Sequence, residues 1–185
     1  MNAGRGLFYL IGASGSGKDS VMRHARQVLA GQGNTIFAHR YITRPQDPIG
    51  EAHIPLSEGE FAQRLHAGCF VMQWDSHGYR YGVGLEIEQW LALGLQVVVN
   101  GSRAYLAQVR QRYPHLQAVL IRVSPQRLHE RLVERGRESA AAIADRLQRA
   151  EDFDIQTQGD SGVHIIDNNG ALEEAGSRLL ELLRG

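Results

Sequence analysis

The sequence has very little cysteine: Cys69 stands alone among 185 residues, so no disulfide can form within the chain. It also has no excess charge, since 20 lysines and arginines balance 20 aspartates and glutamates. General nucleic-acid binders usually carry a basic excess, so this balance argues against that class. The lack of a disulfide framework is typical of a reducing compartment, and we expect a cytoplasmic location.

Long hydrophobic runs are lacking as well. The apolar run at residues 7–11 is far shorter than the roughly 20 residues of a membrane-spanning helix, and a glycine-rich loop follows it instead of a cleavage site. We therefore expect no targeting signal and no membrane association. The hydrophobic fraction of 43% and the charged fraction of 22% are typical of folded globular proteins, and 185 residues suit one domain.

Short apolar runs alternate with helical patterns along the chain. The predicted strands are residues 7–11, 36–42, 96–99, 118–123 and 163–166. The predicted helices are residues 18–29, 57–65, 84–93, 103–112, 125–135, 139–152 and 171–184. Residues 43–56 hold three prolines, which favours a loop or an irregular strand. The alternation predicts an α/β fold with a parallel sheet flanked by helices on both faces.

A glycine-rich loop between the first predicted strand and the first predicted helix is the sharpest signal in the chain. Its glycines let backbone N–H groups point at an anion, and the helix N-terminus adds the positive end of its dipole. The predicted nucleotide-binding residues are Gly12, Ala13, Ser14, Gly15, Ser16, Gly17, Lys18, Asp19 and Ser20. Lys18 is the predicted catalytic cation on the β- and γ-phosphates of ATP. The pattern predicts the P-loop NTPase fold.

Asp19 departs from the usual loop pattern, which has Ser or Thr after the lysine to ligate Mg²⁺. A carboxylate beside a triphosphate would be repelled unless a cation lay between them. Asp19 is therefore the predicted Mg²⁺ ligand, directly or through water. The alternative is that Asp19 only stabilises the start of the helix, where a carboxylate is also favoured. The eight histidines show no metal-ligand spacing, so no structural metal is predicted.

Residues 39–82 are rich in side chains that hold anions or sugars, in a segment where kinases of this size insert an acceptor-binding part. The side chains are His39, Arg40, Tyr41, Thr43, Arg44, His53, His77, Tyr79, Arg80 and Tyr81. Any one of them could simply be a solvated surface group. The cluster as a whole favours an acceptor-binding segment.

Arginines recur further along, on two predicted helices joined by Gly136. They are Arg127, Arg131, Arg135, Arg137, Arg146 and Arg149, the first three on one helical face. This arrangement favours a lid that closes over phosphates, as phosphoryl transfer requires. The alternative is a solvated face paired with glutamates, worth little energetically. We expect both, with Arg137 and Arg146 as the catalytic phosphate contacts.

Together these features resemble the guanylate kinases over nearly the whole chain. The shared strings are the loop, Thr43-Arg44-Pro45, Gly50-Glu51, Ser57-x-x-Glu60-Phe61, Phe70, Gly78-Tyr79-Arg80-Tyr81-Gly82, Arg131-Leu132, Arg135-Gly136 and Ile143-x-x-Arg146-Leu147. The resemblance implies one kinase domain. Its core would be about 5–38, 93–124 and 160–185, its acceptor-binding segment about 39–92 and its helical lid about 125–152.

Further strings are similar to the branch of that family that phosphorylates ribose 1,5-bisphosphate in phosphonate degradation. They are Gly17-Lys18-Asp19-Ser20, Arg40-Tyr41-Ile42-Thr43-Arg44-Pro45, Gly50-Glu51-Ala52-His53-Ile54, Trp74-Asp75-Ser76-His77-Gly78, Val98-Val99-Asn100-Gly101-Ser102-Arg103 and Ile166-Asp167-Asn168-Asn169-Gly170. The resemblance implies transfer of the γ-phosphate of ATP to ribose 1,5-bisphosphate, giving 5-phospho-α-D-ribose 1-diphosphate and ADP.

The differences from guanylate kinases concern the acceptor. Met72 stands where those enzymes have a glutamate that reads guanine, and it cannot accept the hydrogen bonds of N1 and N2. Arg103 adds a cation where a second acceptor phosphate could lie. By the resemblance, the acceptor-binding residues are Arg44, His53, Tyr81 and Arg103. Asn168, in the loop after the last predicted strand, is expected to contact adenine.

Two other functions stay open on the sequence. One is a nucleoside monophosphate kinase with another acceptor, although Met72 counts against GMP. The other is an inactive guanylate-kinase-like binding module, although such modules tend to lose the phosphate loop that this chain keeps. The partner is expected to be a small phosphorylated sugar, and the oligomeric state is left open.

Overall fold

Strands and helices alternate along the chain in a computed structural model, which describes residues 4, 6–45, 53–136, 139–157, 160 and 162–185. The strands are β1 (Leu7–Ile11), β2 (Thr35–Phe37), β3 (Arg40–Ile42), β4 (Ile54–Pro55), β5 (Phe70–Ser76), β6 (Tyr79–Gly84), β7 (Gln96–Asn100), β8 (Gln117–Arg122) and β9 (Val163–Asp167). The helices are α1 (Lys18–Val28), α2 (Glu58–His66), α3 (Glu86–Ala92), α4 (Leu106–Arg112), α5 (Pro125–Arg135), α6 (Ala140–Thr157) and α7 (Leu172–Arg184). Within these described ranges, no helix has both the length and the hydropathy to cross a membrane.

The larger sheet confirms the predicted α/β class. Its strand order is β2-β7-β1-β8-β9, and the β2–β7 and β8–β9 pairs are parallel. Every residue of β1 is buried, as expected of a central strand covered on both faces. The crossed strand order places the end of β1, and the phosphate loop after it, at the middle of the sheet.

A second sheet, of order β4-β3-β6-β5, is not predicted from the sequence. The prediction of one strand over residues 36–42 is wrong, because β2 lies in the larger sheet and β3 in this one. Strands β5 and β6 form a hairpin whose turn residues, His77 and Gly78, both have positive φ angles. Such a turn matches the twist of the flanking strands.

Contacts divide the chain into two compact units. The first comprises Met1–Tyr9 and Gly31–Leu116, and the second comprises Leu10–Ala30 and Gln117–Gly185. The first contains the four-stranded sheet with α2, α3 and α4, and the second contains the phosphate loop with α1, α5, α6 and α7. The sequence-based division into core, acceptor-binding segment and lid stays a prediction.

Helix α5 contributes to the hydrophobic core of the second unit and has the bounds predicted from the sequence. Ser124 caps its start, Pro125 occupies its first turn, and Gly136 ends it in the left-handed conformation. Leu128 and Leu132 on its apolar face form a buried cluster with Val123, the residue after β8, and with Ile143 of α6. Ala13 of the phosphate loop packs against this cluster, so the hydrophobic core of the unit supports the loop directly.

Candidate active site

The phosphate loop joins β1 to α1 and favours glycine at three positions, two for their backbone conformation and one for lack of space. Gly15 and Gly17 have φ angles of 100° and 83°, which side chains of L-residues rarely allow. At Gly12 a Cβ atom would lie 2.6 Å from the hydroxyl of Ser16 and 2.7 Å from the carbonyl of Ile121. The glycines of the sequence motif therefore lie at positions of this turn where a larger side chain would be strained or would overlap its neighbours.

Lys18, the only lysine in the sequence, begins α1. Its side chain is only 12% exposed, and its Nζ atom lies 3.3 Å from Oδ1 of Asp19, whose side chain is 54% exposed. The loop thus presents an enclosed ammonium group next to an accessible carboxylate. Gly17 is the N-cap of α1 and has no side chain to cap it, while Asp19 lies in the first turn. Both readings of Asp19, as a Mg²⁺ ligand and as a favourable charge in that turn, stay open.

Two side chains, of Arg131 and Asn168, donate hydrogen bonds to backbone carbonyl groups of the loop. Nη1 of Arg131 donates to the carbonyl of Ser16 at 3.1 Å, and Nδ2 of Asn168 donates to the same oxygen at 2.7 Å. Arg131 also donates through Nη2 to the carbonyl of Asn168 at 3.0 Å. These bonds direct the Ser16 carbonyl toward α5 and the end of β9. This orientation suits anion binding, because an anion held by the loop N–H groups is repelled by any carbonyl oxygen that points at it.

This geometry gives Asn168 a role different from the one expected. Its side chain is 3% exposed, and its backbone N–H donates to the carbonyl of Arg122 at 2.8 Å. The amide lies so close to the loop that a Cβ atom at Gly17 would overlap it. Asn168 is therefore a loop-holding residue in this structure, and its contact with adenine stays a prediction.

The arginines of the predicted lid have several different environments. Arg127 pairs with Glu130 at 3.0 Å, as expected for part of the set. Arg149 also forms a surface pair, at 2.7 Å, but with Asp145 and not with a glutamate. Arg131 instead contacts the phosphate loop. Arg146 lies half-buried on α6, and its role as a phosphate contact stays a prediction. Arg137 and the side chain of Arg135 lie outside the described part of the chain.

In the first unit, Arg44 and His53 lie together. Nε2 of His53 donates to the carbonyl of Arg44 at 3.0 Å, and His53 is only 2% exposed. In this structure His53 ties down the backbone of Arg44; its direct contact with an acceptor stays a prediction. The Nε atom of Arg44 is buried and has no hydrogen-bond partner among the described residues. A buried cationic N–H favours an anionic partner, so Arg44 fits a phosphate contact.

Tyr81 lies in a stack of aromatic rings. Its ring is parallel to that of Trp74, with the centroids 5.6 Å apart, and Trp74 in turn stacks on Tyr105 at 5.7 Å. The guanidinium of Arg40 lies 4.9 Å from the centre of the Tyr81 ring, within cation–π range. Arg40 was predicted to be one of the anion-binding side chains. Its contacts with the Trp74 and Tyr81 rings were not predicted.

The segment after β7 carries the remaining predicted acceptor residue, Arg103, which is half-buried. The neighbouring residue, Ser102, forms hydrogen bonds through its backbone N–H and carbonyl with the hydroxyl of Tyr9. Tyr9 was not predicted to have a functional role. The only available signal was a phenol within an otherwise apolar buried strand. Met72 is 1% exposed, so its thioether packs inside the unit and offers no strong hydrogen-bond acceptor.

Comparison with known proteins gives consistent results. The family model for guanylate kinase matches residues 5–185. The chain is 53% identical over 177 residues to the ribose 1,5-bisphosphate phosphokinase PhnN of Thiobacillus denitrificans, covering 96% of this chain and 92% of that protein. It is 50% identical over 178 residues to the protein of the same name from Psychromonas ingrahamii, covering 96% and 89%. Among solved structures, guanylate kinase from Anaplasma phagocytophilum matches with a TM-score of 0.69 at 16% identity, covering 99% of this chain and 86% of that one; this likeness shows the fold alone.

We predict that Asn168→Ala weakens nucleoside triphosphate binding about tenfold, because the Ser16 carbonyl loses its shortest hydrogen bond and the loop loses its fixed shape. Isothermal titration calorimetry measures the affinity. Asn169→Ala is the matched control, since that side chain accepts from the backbone N–H of Ser124 at 2.7 Å and not from the loop. Equal affinity losses in the two variants would contradict the role given to Asn168.

Proposed function

The chain belongs to the guanylate kinase family, and we propose that it transfers the γ-phosphate of ATP to α-D-ribose 1,5-bisphosphate. The products are 5-phospho-α-D-ribose 1-diphosphate and ADP. The observation that carries the proposal is the 53% identity, over 96% of the chain, to a protein named ribose 1,5-bisphosphate phosphokinase. The acceptor is thus a small phosphorylated sugar.

The residues of the first unit support an acceptor that has two phosphates and no base. Guanine would present N–H donors, and the buried thioether of Met72 is a poor partner for them. Arg44 and Arg103 instead supply two cations, and the Nε atom of Arg44 has no partner in the described chain. Arginine suits phosphate because its planar group can donate two parallel hydrogen bonds.

The reaction needs little covalent chemistry from the protein. An oxygen of the acceptor's 1-phosphate forms a bond to the γ-phosphorus, while the bond from that phosphorus to the β–γ bridging oxygen breaks and ADP leaves. This nucleophile is already anionic near neutral pH, so no general base is required. The protein contributes positioning and neutralisation of charge. Lys18 and the N–H groups of the loop hold the donor phosphates, and Arg137 and Arg146 stay the predicted lid contacts.

Magnesium fits the donor end of the site. When bound, Mg²⁺ neutralises the β- and γ-phosphate oxygens. In the described part of the chain, no three His, Cys, Asp or Glu side chains form a cluster that could hold a metal ion. The accessible carboxylate of Asp19 beside Lys18 is the oxygen ligand that the chain itself would add.

The proposed activity is tested by ³¹P NMR of the purified protein with Mg-ATP and ribose 1,5-bisphosphate, beside a matched reaction with GMP. We expect the diphosphate resonances of the phosphoribosyl product in the first tube and little GDP in the second. GDP formation without the phosphoribosyl product would make the chain a guanylate kinase, and no turnover in either tube would favour the inactive binding module.

Lys18→Ala should lower kcat by about a hundredfold to a thousandfold, because it removes a preorganised cation from the transferred phosphate. Circular dichroism and thermal melting should remain close to wild type, since the ammonium is not part of the hydrophobic core. Arg178→Ala removes an exposed cation from α7 of the same unit and serves as the control with unchanged turnover. Near-normal turnover by Lys18→Ala would contradict the mechanism.

Asp19→Ala separates the two readings of that residue. If Asp19 is a Mg²⁺ ligand, Asp19→Ala should need several-fold more Mg²⁺ for half-maximal activity. Asp19→Ser, which restores the usual residue type, should then recover most of the loss. As a favourable charge in the first turn, it should affect stability only, by about 0.3–1 kcal/mol. Activity titrated with MgCl₂ and urea unfolding distinguish the outcomes.

A further inference from the structure

Tyr9 places a phenol in the middle of a strand that is otherwise entirely apolar. Its side chain is fully buried, and its neighbours along β1 are Leu7, Phe8, Leu10 and Ile11. Burying a hydroxyl is unfavourable unless it is hydrogen-bonded. Here it is bonded twice, because the hydroxyl accepts from the N–H of Ser102 at 2.8 Å and donates to the carbonyl of Ser102 at 3.2 Å. Burial raises the pKa of Tyr9, so the hydroxyl keeps the proton that it donates.

The ring of Tyr9 fits because the residue before Ser102 has no side chain. A Cβ atom at Gly101 would overlap the Tyr9 ring. The phenol and Gly101 are therefore a matched pair, in which the ring covers the backbone of residue 101 and the hydroxyl reaches residue 102. A phenylalanine in β1 would cover the same surface but would leave both backbone groups of Ser102 without this partner.

The segment that Tyr9 holds connects two parts of the proposed acceptor site. Arg103 follows Ser102 directly. The carbonyl of Ser102 also accepts from the backbone N–H of Tyr105 at 3.3 Å, and the ring of Tyr105 stacks on Trp74, which stacks on Tyr81. Contacts therefore connect the Tyr9 hydroxyl through Ser102, Tyr105 and Trp74 to Tyr81. Arg103 is the residue next to Ser102 in this series.

We propose that Tyr9 is a positioning residue for the acceptor: its hydroxyl fixes the backbone at Ser102 so that Arg103 is held ready for the second acceptor phosphate. This rests on the proposed function, because it takes the acceptor to be a bisphosphate. Tyr9 itself touches no substrate. Its contribution is preorganisation, since an arginine on a fixed backbone loses less freedom when it binds an anion.

The test is Tyr9→Phe, which keeps the ring over Gly101 and removes only the hydroxyl. We expect the KM for ribose 1,5-bisphosphate to rise about tenfold, while kcat and the KM for ATP change by less than about twofold. Tyr113→Phe is the matched control, because it deletes another buried hydroxyl of the same unit, one that donates to Glu88 at 3.0 Å. That control should leave the acceptor KM unchanged, even if both variants melt at a lower temperature.

A double-mutant cycle with Arg103→Ala shows whether Tyr9 acts through Arg103. We expect Tyr9→Phe to raise the acceptor KM little further once Arg103 is gone, and fully additive effects would overturn the proposal. An unchanged acceptor KM in Tyr9→Phe, with normal turnover by the wild type, would overturn this inference alone. Absence of turnover by the wild type with ribose 1,5-bisphosphate would overturn the proposed function and this inference with it.

Discussion

The carbonyl oxygen of Ser16 is the point on which the donor site depends. It accepts hydrogen bonds from Arg131 and Asn168 at 3.1 and 2.7 Å, so one backbone atom joins the phosphate loop, α5 and the end of β9. Ser16 lies 115 residues from Arg131 and 152 residues from Asn168 in the sequence. With that carbonyl held by two hydrogen bonds, the loop keeps a fixed shape in which the enclosed Lys18 lies beside the accessible Asp19. A rigid loop of this kind stabilises charge without reorganising during the reaction.

Local patterns predicted the elements around the donor site well. The bounds of β1 and α5 follow from an apolar run and from a Ser-Pro start with a glycine stop, which are signals within a few residues. The second sheet was missed because its pairing is long-range and its strands β3 and β4 are only two or three residues long. Residues 36–42 look like one strand locally, and only tertiary pairing assigns β2 and β3 to different sheets.

The polar and charged residue types in the sequence indicated where the candidate site lies, but they did not indicate what each side chain contacts. The sequence gives an arginine at 131 and an asparagine at 168 without showing that both meet the carbonyl of Ser16. His53 likewise was expected at the acceptor, and it lies buried against the backbone of Arg44. Burial and backbone partners depend on contacts between distant segments, so they could not be predicted from residue type. The hydroxyl of Tyr9 was overlooked for the same reason.

The donor end is built on a loop whose Ser16 carbonyl is held by Arg131 and Asn168. At the acceptor, we propose that Arg44 and Arg103 supply cations in place of a base-reading carboxylate. We also propose that the ATP phosphates lie on Lys18, and this placement can be tested directly. Because Lys18 is the only lysine in the sequence, acylation with an amine-reactive ester, followed by peptide mass spectrometry, measures its accessibility without any acceptor. Mg-ATP at ten times its dissociation constant should slow the acylation of Lys18 about tenfold, since about a tenth of the sites stay free. An acylation rate that saturating ATP leaves unchanged would contradict this placement of the phosphates.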